Sequence, residues 1–393
     1  MQIKKLMALA VVFALVPLGP MAIDLYLPSF PQMMTVFEAS EPQIGQTISL
    51  YVLALGVGQL IAGPVSDRKG RKFSAMLGVF FYGLGSVLVL FSWSLEGLYG
   101  ARMIQGLGAA FTMITAMAWI RDNYQGAEAG RWLSYLGGVT SAVPTVAPLL
   151  GTLLASYWGW QGGFWVMALL AALLFAMAYF CFDSPKPCQP TIEVVNSQQL
   201  KCRVRDILSD RRFLTYSLAN TLSFGGLLTY ISVAPIVGLT QGGLSQWTFS
   251  LMFGGIGGLQ ILSSLFAPWV INRLGRRRTV RFGASVIALG GIGLLWVDEV
   301  YGFFVLAAMG AAGFSLLSGS ATSLALESFR HCAGLASAID GFGRMIGAAV
   351  LVALATSLLG SGAMTLAAVL LLSVITVVAI TLQGRQGEPA HER

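Results

Sequence analysis

Four ionisable side chains stand inside long apolar runs of this 393-residue chain: Asp24, Arg102, Asp340 and Arg344. At the centre of a spanning helix each costs about 2.5–3.5 kcal/mol on insertion scales, so each is a functional candidate by default. Asp24 sits among Pro20, Tyr26 and Pro28, and prolines loosen the local backbone enough to admit a cavity beside the acid. Desolvation favours a neutral carboxyl and a nearby cation favours an ionised one. A group balanced between the two binds a proton in one conformation and releases it in another. The competing role is an acid at the outer membrane boundary that caps or anchors the first helix; the cost of burial favours the functional role. Tyr26 is the aromatic side chain best placed to line such a cavity, being two residues from the acid.

Arg102 is followed by Gln105 and Gly106, and helical spacing strings Arg102, Gln105, Ala109, Met113 and Ala116 along one stripe. An arginine does not titrate usefully, so its work is to hold carbonyls or to tune an acid. The bland alternative, snorkelling outward to headgroups, fits poorly with loops on that side that carry no other basic residue. Asp340 and Arg344 are four apart, share one helix face and can pair. Counted from Gly334, Asp340 lies about 9 Å into its helix. Such a pair either masks two charges that would oppose insertion or forms a second proton or gate site. The spacing leaves both open, with masking slightly favoured.

The elements that must position these groups follow from composition. Charged residues make up 10% and apolar residues 56% of the chain, and the mean hydropathy is +0.74. A spanning helix needs about 20 mostly apolar residues, and twelve runs qualify: 6–28, 43–63, 73–93, 97–119, 132–157, 160–182, 212–237, 247–271, 279–297, 301–325, 334–359 and 362–382. Lipid cannot satisfy open strand edges, so these are helices, and the alternating ten-residue segments of a barrel are missing from the sequence. All of the 24 Lys and Arg residues except Arg102 and Arg344 fall at the termini, in alternate loops or in the central polar stretch. The opposite loops hold only Glu38, Glu41, Glu96, Asp298 and Glu299. Retention of positive loops inside places both termini in the cytoplasm. The net charge of +7 then reflects orientation and anionic headgroups, and a nucleic-acid partner is not indicated. The opening Met1–Lys5 and apolar run resemble a signal peptide, but the run is long and its cleavage site poor, so a retained first helix is expected. Cys181, Cys188, Cys202 and Cys332 show no metal or redox spacing and are expected as free thiols.

A polar stretch with Pro185, Pro187 and Pro190 divides the spans six and six, giving a bundle over 1–183, a linker over 184–211, a second bundle over 212–382 and a tail over 383–393. Leu200–Phe213 reads as a short amphipathic helix on the inner membrane face. A basic turn with glycine occurs twice, as Gly63-Pro64-Val65-Ser66-Asp67-Arg68-Lys69-Gly70-Arg71-Lys72 and as Val270-Ile271-Asn272-Arg273-Leu274-Gly275-Arg276-Arg277-Arg278, 205 residues apart. Two such halves are parallel repeats. The second copy has Asn272 where the first has Asp67, so it is expected to serve mainly as an anchor.

The first of these turns resembles the loop signature between the second and third helices of the major facilitator superfamily. Leu98–Ala110, with Arg102, Gln105 and Gly106, resembles the fourth-helix motif of its drug/proton antiporter group. Ile23–Pro31 resembles the first-helix signature of the Bcr/CflA (bicyclomycin/chloramphenicol resistance) subfamily, and Arg121-Asp122 with Val143–Gly151 fits the same subfamily. The resemblance covers nearly the whole chain. It implies an all-α membrane protein of twelve transmembrane helices in two pseudo-symmetric six-helix bundles, in the bacterial inner membrane. It further implies proton or cation binding at Asp24, proton coupling through Arg102, and a gate motif of Gly63, Asp67, Arg68, Gly70 and Arg71. In that motif the acid docks at a helix start and holds the cytoplasmic side closed. Pro144, Pro148 and Gly151 stand where the resemblance puts the antiporter motif of helix 5.

The expected function is proton-driven export of small amphipathic drugs by alternating access, without a cofactor, by a monomer that contains a complete pathway. Proton-coupled uptake or transport of a sugar, amino acid or nucleoside is the alternative. An enzyme is not expected: the two histidines, His331 and His391, join no nucleophile–base or metal-ligand set. A sensor would be expected to carry an added soluble domain.

Overall fold

The computed structural model describes residues 2–182 and 204–386. The expected linker residues 184–203, with Cys188 and Cys202, and the tail from 387, with His391, lie outside them. Among the described residues there is no strand, and they form two compact units: those up to 182 with 238–257, and 204–237 with 258–386.

The first span is not one rod. It runs through α1 (Gln2–Leu15), α2 (Leu18–Asp24), a 3₁₀ turn (Leu27–Ser29) and α3 (Phe30–Val36). Pro17, Pro20, Pro28 and Pro31 punctuate it, each lacking an N–H for the helical ladder. The long α4 (Glu41–Lys69) begins in a capping box, where the Ser40 N–H donates to Gln43 Oε1 at 2.8 Å. Next come α5 (Arg71–Leu90), α6 (Leu95–Asn123), α7 (Gly126–Trp158) and α8 (Gln161–Cys181). Within this unit α5 packs on α6 and α8, α4 on α6, and α2 on α7.

The second unit opens with the short α9 (Val204–Ser209), which is what the structure has of the expected Leu200–Phe213 helix. Asp210 ends it and caps α10 (Arg211–Pro235), accepting from the Phe213 N–H at 2.7 Å. Pro235 gives way to a π-helical turn, Ile236–Gln241. Then follows α11 (Gln246–Leu274), whose residues up to 257 belong to the first unit and whose remainder belongs to the second, and after it α12 (Arg276–Gly293), α13 (Val300–Ala325), α14 (Ala333–Leu359), α15 (Ala363–Leu371) and α16 (Ser373–Gln386). In this unit α12 packs on α13, and α10 on α13 and α14.

Among the described residues eleven helical segments are long and apolar enough to cross a membrane. The twelfth is α12, whose eighteen residues begin with Arg276, Arg277, Arg278 and, one turn on, Arg281. Its apolar part is short, yet it packs as the third helix of its unit, as α5 does in the first. The architecture is the twelve-helix arrangement expected.

The basic turns are shorter than their sequences suggest. Most of each is helix: α4 runs through Lys69 and α5 starts at Arg71, so Gly70 alone makes the link, at φ 87°. Gly275 does the same between α11 and α12, at φ 79°. That left-handed region suits glycine because it has no Cβ. The repeat extends into packing. A Cβ on Gly108 would sit 2.6 Å from the Gly78 carbonyl oxygen, and one on Gly313 would sit 2.6 Å from that of Gly283. These positions again differ by 205, and they let the third and fourth helices of each unit touch backbone to backbone.

Candidate functional site

Asp24 is the last residue of α2, at the point where the first span breaks. It is buried, 2% exposed, and among the described residues it has no hydrogen-bond or ion-pair partner. Leu25, beside it, carries its carbonyl against α7: a Cβ on Gly151 would collide with that oxygen. Gly151, singled out with Pro144 and Pro148, is thereby packed against the backbone of Leu25, the residue after Asp24. α7 runs unbroken through both prolines, and the Pro148 carbonyl accepts a hydrogen bond from Ser250 Oγ at 3.0 Å. The Pro144–Thr145 backbone lies where Gly257 of α11 approaches.

Arg102 is fully buried on α6. Its guanidinium carbon lies 4.7 Å from the ring centre of Tyr26, 4.6 Å from that of Tyr51 and 6.0 Å from that of Phe164. Ring faces attract a guanidinium by about 0.5–2 kcal/mol each, more when dry, and they hold the cation here in place of a carboxylate. Arg102 Nη1 donates to Gln105 Oε1, one turn along the same helix. Gln105 Nε2 in turn donates to Ser86 Oγ at 2.8 Å, and Ser86 Oγ to the Tyr82 carbonyl at 2.8 Å. Arg102 Nε and Nη2 remain buried without a partner. The Tyr26 and Thr47 hydroxyls are bonded at 2.8 Å, and Tyr51 donates to the Gly19 carbonyl at 2.8 Å, in the broken first span. Asp24 and Arg102 make no ion pair.

Tyr26, Arg102 and Gln105 therefore belong to one buried assembly of the first unit, and Asp24, buried two residues before Tyr26, adjoins it along the chain. Tyr51, Ser86 and Phe164 belong to it too and were not picked out by sequence. Tyr51 offered one usable signal, a phenol in mid-span whose hydroxyl must find a partner.

Asp340 and Arg344, which their spacing allows to pair, share a face of α14 but do not form an ion pair. Ser217 Oγ of α10 donates to Asp340 Oδ1, and the Arg344 guanidinium lies 5.7 Å from the Phe224 ring centre. Partners on the neighbouring helix win over the partner on the same helix. Near them the buried Asn220 donates to Thr322 Oγ1 at 2.9 Å and accepts from Ser318 Oγ at 2.9 Å.

In the first basic turn, Arg71 pairs with Asp67 at 2.6 Å and with Asp122 at 2.7 Å, and donates to Ser66 Oγ at 2.8 Å. The Asp67 side chain is largely exposed and Arg68 is exposed. Gly63 faces open space. The second turn is more than the expected anchor: Arg276 pairs with Glu327 at 3.0 Å and donates to Ser323 Oγ at 3.2 Å.

Residues 12–352 match the model of a family described as Major Facilitator Superfamily. The chain is 30% identical over 356 residues to multidrug resistance protein MdtL of Escherichia coli O17:K52:H18 (strain UMN026 / ExPEC), covering 89% of this chain and 88% of that protein. It is 30% identical over 349 residues to the uncharacterized MFS-type transporter YdgK of Bacillus subtilis (strain 168), covering 86% of each. Among solved structures, a D-xylose-proton symporter superposes with a TM-score of 0.77 over 95% of this chain and 97% of that one. At 15% identity, that likeness is one of fold.

Proposed function

The chain belongs to the Major Facilitator Superfamily, and from that premise we propose that it is a drug:proton antiporter of the Bcr/CflA type, exporting small amphipathic compounds across the bacterial inner membrane. It is a multi-pass membrane protein. In the proposed orientation both termini and the basic turns face the cytoplasm. Transport is by alternating access in a monomer, driven by the proton gradient without a cofactor, and Asp24 is the proton carrier.

The observation that carries this assignment is the carboxyl of Asp24, buried at a helix break with no partner to fix its charge. A structural acid at this depth would be paired or bonded. An acid that takes up and gives back a proton is better left without a permanent partner. Arg102, caged by rings and braced by Gln105 and Ser86, supplies a fixed positive charge to the same unit. Coupling then requires only that proton and substrate favour different states of the protein. The 30% identical MdtL, named for multidrug resistance, supports drugs as cargo.

Everted membrane vesicles test the assignment. Adding chloramphenicol or ethidium to vesicles with an acidified lumen should raise lumenal pH, and Asp24→Asn should abolish the rise. Unchanged proton flux and resistance in that variant would sink the role of Asp24.

A further inference from the structure

Arg344 lies near the middle of the 27-residue α14, about 16 Å from its first residue at 1.5 Å per residue. That is too far from either end for the side chain to reach a headgroup. A guanidinium at such depth normally faces a counter-charge, and none is paired with it among the described residues. Its Nε is buried without a partner, while the residue as a whole remains part-exposed. This distinguishes it from Arg102, which is sealed inside its aromatic cage.

The surroundings hold the cation without satisfying it. Phe224 stands against the guanidinium, and Phe314 lies 5.9 Å from Phe224, ring centre to ring centre. Asp340, one turn away, is engaged by Ser217. α10 and α14 run in register here: a Cβ on Gly347 would meet Thr221 at 2.5 Å, and one on Gly225 would meet Leu351 at 2.7 Å. Ser217 therefore engages the acid and Phe224 the guanidinium, while the two charges attract one another along the helix without forming an ion pair. A ring-backed guanidinium presents a planar edge of N–H donors, which matches a carboxylate by two parallel hydrogen bonds.

We propose that Arg344, backed by Phe224, is a recognition site for the carboxylate of an amphipathic substrate. The site lies wholly within the second unit, and the proposal rests on the exporter assignment above, which it narrows to cargo that includes carboxylate-bearing drugs. Depth excludes a lipid phosphate as its ordinary occupant. The aromatic pair Phe224 and Phe314 suits a substrate whose carboxylate is attached to a flat ring system.

The test is direct binding to the purified full-length protein in nanodiscs, with four probes: nalidixate (anion), norfloxacin (zwitterion), ethidium (cation) and chloramphenicol (neutral). Arg344→Gln should weaken nalidixate and norfloxacin at least tenfold, leaving whichever of ethidium and chloramphenicol bind within about twofold. Arg344→Lys, which keeps the charge and loses the planar fork, should fall between. Thermal unfolding of each variant separates loss of recognition from loss of fold. Equal weakening of all probes, or none, overturns the proposal. Wild-type protein that binds ethidium or chloramphenicol but neither carboxylate overturns this inference alone. Wild-type protein that binds none of the four overturns it together with the drug-export assignment.

Discussion

Arg71 and Arg276 hold the same place in their respective units: each donates to an acid 51 residues further along the chain, Arg71 to Asp122 and Arg276 to Glu327. The duplicated turn is thus a duplicated brace, tying the start of the third helix to the far end of the fourth. The copies differ in what they add. Arg71 also holds Asp67, whereas Asn272 stands at the corresponding place in the second copy.

Both braces should be measurable and small. Exposed pairs contribute about 0.2–1 kcal/mol; the 16% exposed Arg71 side chain, shared by two acids, belongs at the upper end. In double-mutant cycles on detergent-solubilised protein, Arg276→Ala with Glu327→Gln should couple positively, and Arg71→Ala with Asp122→Asn more strongly. Additivity in the second unit would show that Arg276–Glu327 contributes nothing, and that the copy serves only as an anchor.

Glycines of the recognised motifs should separate sharply. Gly151→Ala puts a methyl into the Leu25 carbonyl, a backbone atom fixed next to Asp24. Overpacking of this kind costs about 1–3 kcal/mol, and the displaced backbone would carry Asp24 with it. Lower melting temperature and loss of drug resistance should appear together. Gly63→Ala meets nothing within 4 Å and lies inside α4, so its melting temperature should hold or rise, by up to about 0.5–1 kcal/mol of stability. Equal stability of the two variants would contradict the packing described.

Legibility from sequence followed the same division between what a residue is and what it touches. Asp24, Arg102 and Gln105 stood out because charge or amide in an apolar run has few innocent explanations. Tyr51, Ser86 and Phe164 did not, because tyrosine, serine and phenylalanine are ordinary in spanning helices, and only contact with Arg102 and Gln105 gives them a role. Asp340 and Arg344 can pair by their spacing, but a spacing of four fixes proximity and not choice of partner. Ser217 and Phe224 on α10 compete for them, and sequence does not say which helix lies alongside. The pairing of Arg276 is hidden in the sequence for the same reason, its acid lying 51 residues away.

Gln105 should matter more than a neutral amide ordinarily would, because it is the hydrogen-bond acceptor of Arg102 in the structure. Gln105→Leu leaves a buried guanidinium held by ring faces alone, without its hydrogen-bond acceptor, at a cost of about 1–3 kcal/mol or more for a charged group. Ser86→Ala removes only the support behind Gln105 and should cost about 1 kcal/mol. The order Gln105→Leu, Ser86→Ala, wild type in rising thermal stability is the expected result; the reverse order for the two variants would mean that Gln105 does not brace Arg102.

Asp24 should show opposed effects on stability and function. Its carboxyl has no partner among the described residues and is almost fully buried, so Asp24→Asn removes an ionisable group without breaking a bond that the structure contains. A residue retained for stability would lower the melting temperature when replaced. One retained for coupling can be a stability burden, as functional sites often are. Asp24→Asn should therefore leave the melting temperature unchanged or higher while substrate-dependent proton flux falls to background. Asp24→Glu, which keeps the acid but lengthens the side chain in a tightly packed site beside Leu25 and Gly151, should restore part of the flux and lower stability through crowding. A drop in stability with retained flux in Asp24→Asn would identify Asp24 as a structural residue of the helix break and move the proton site elsewhere.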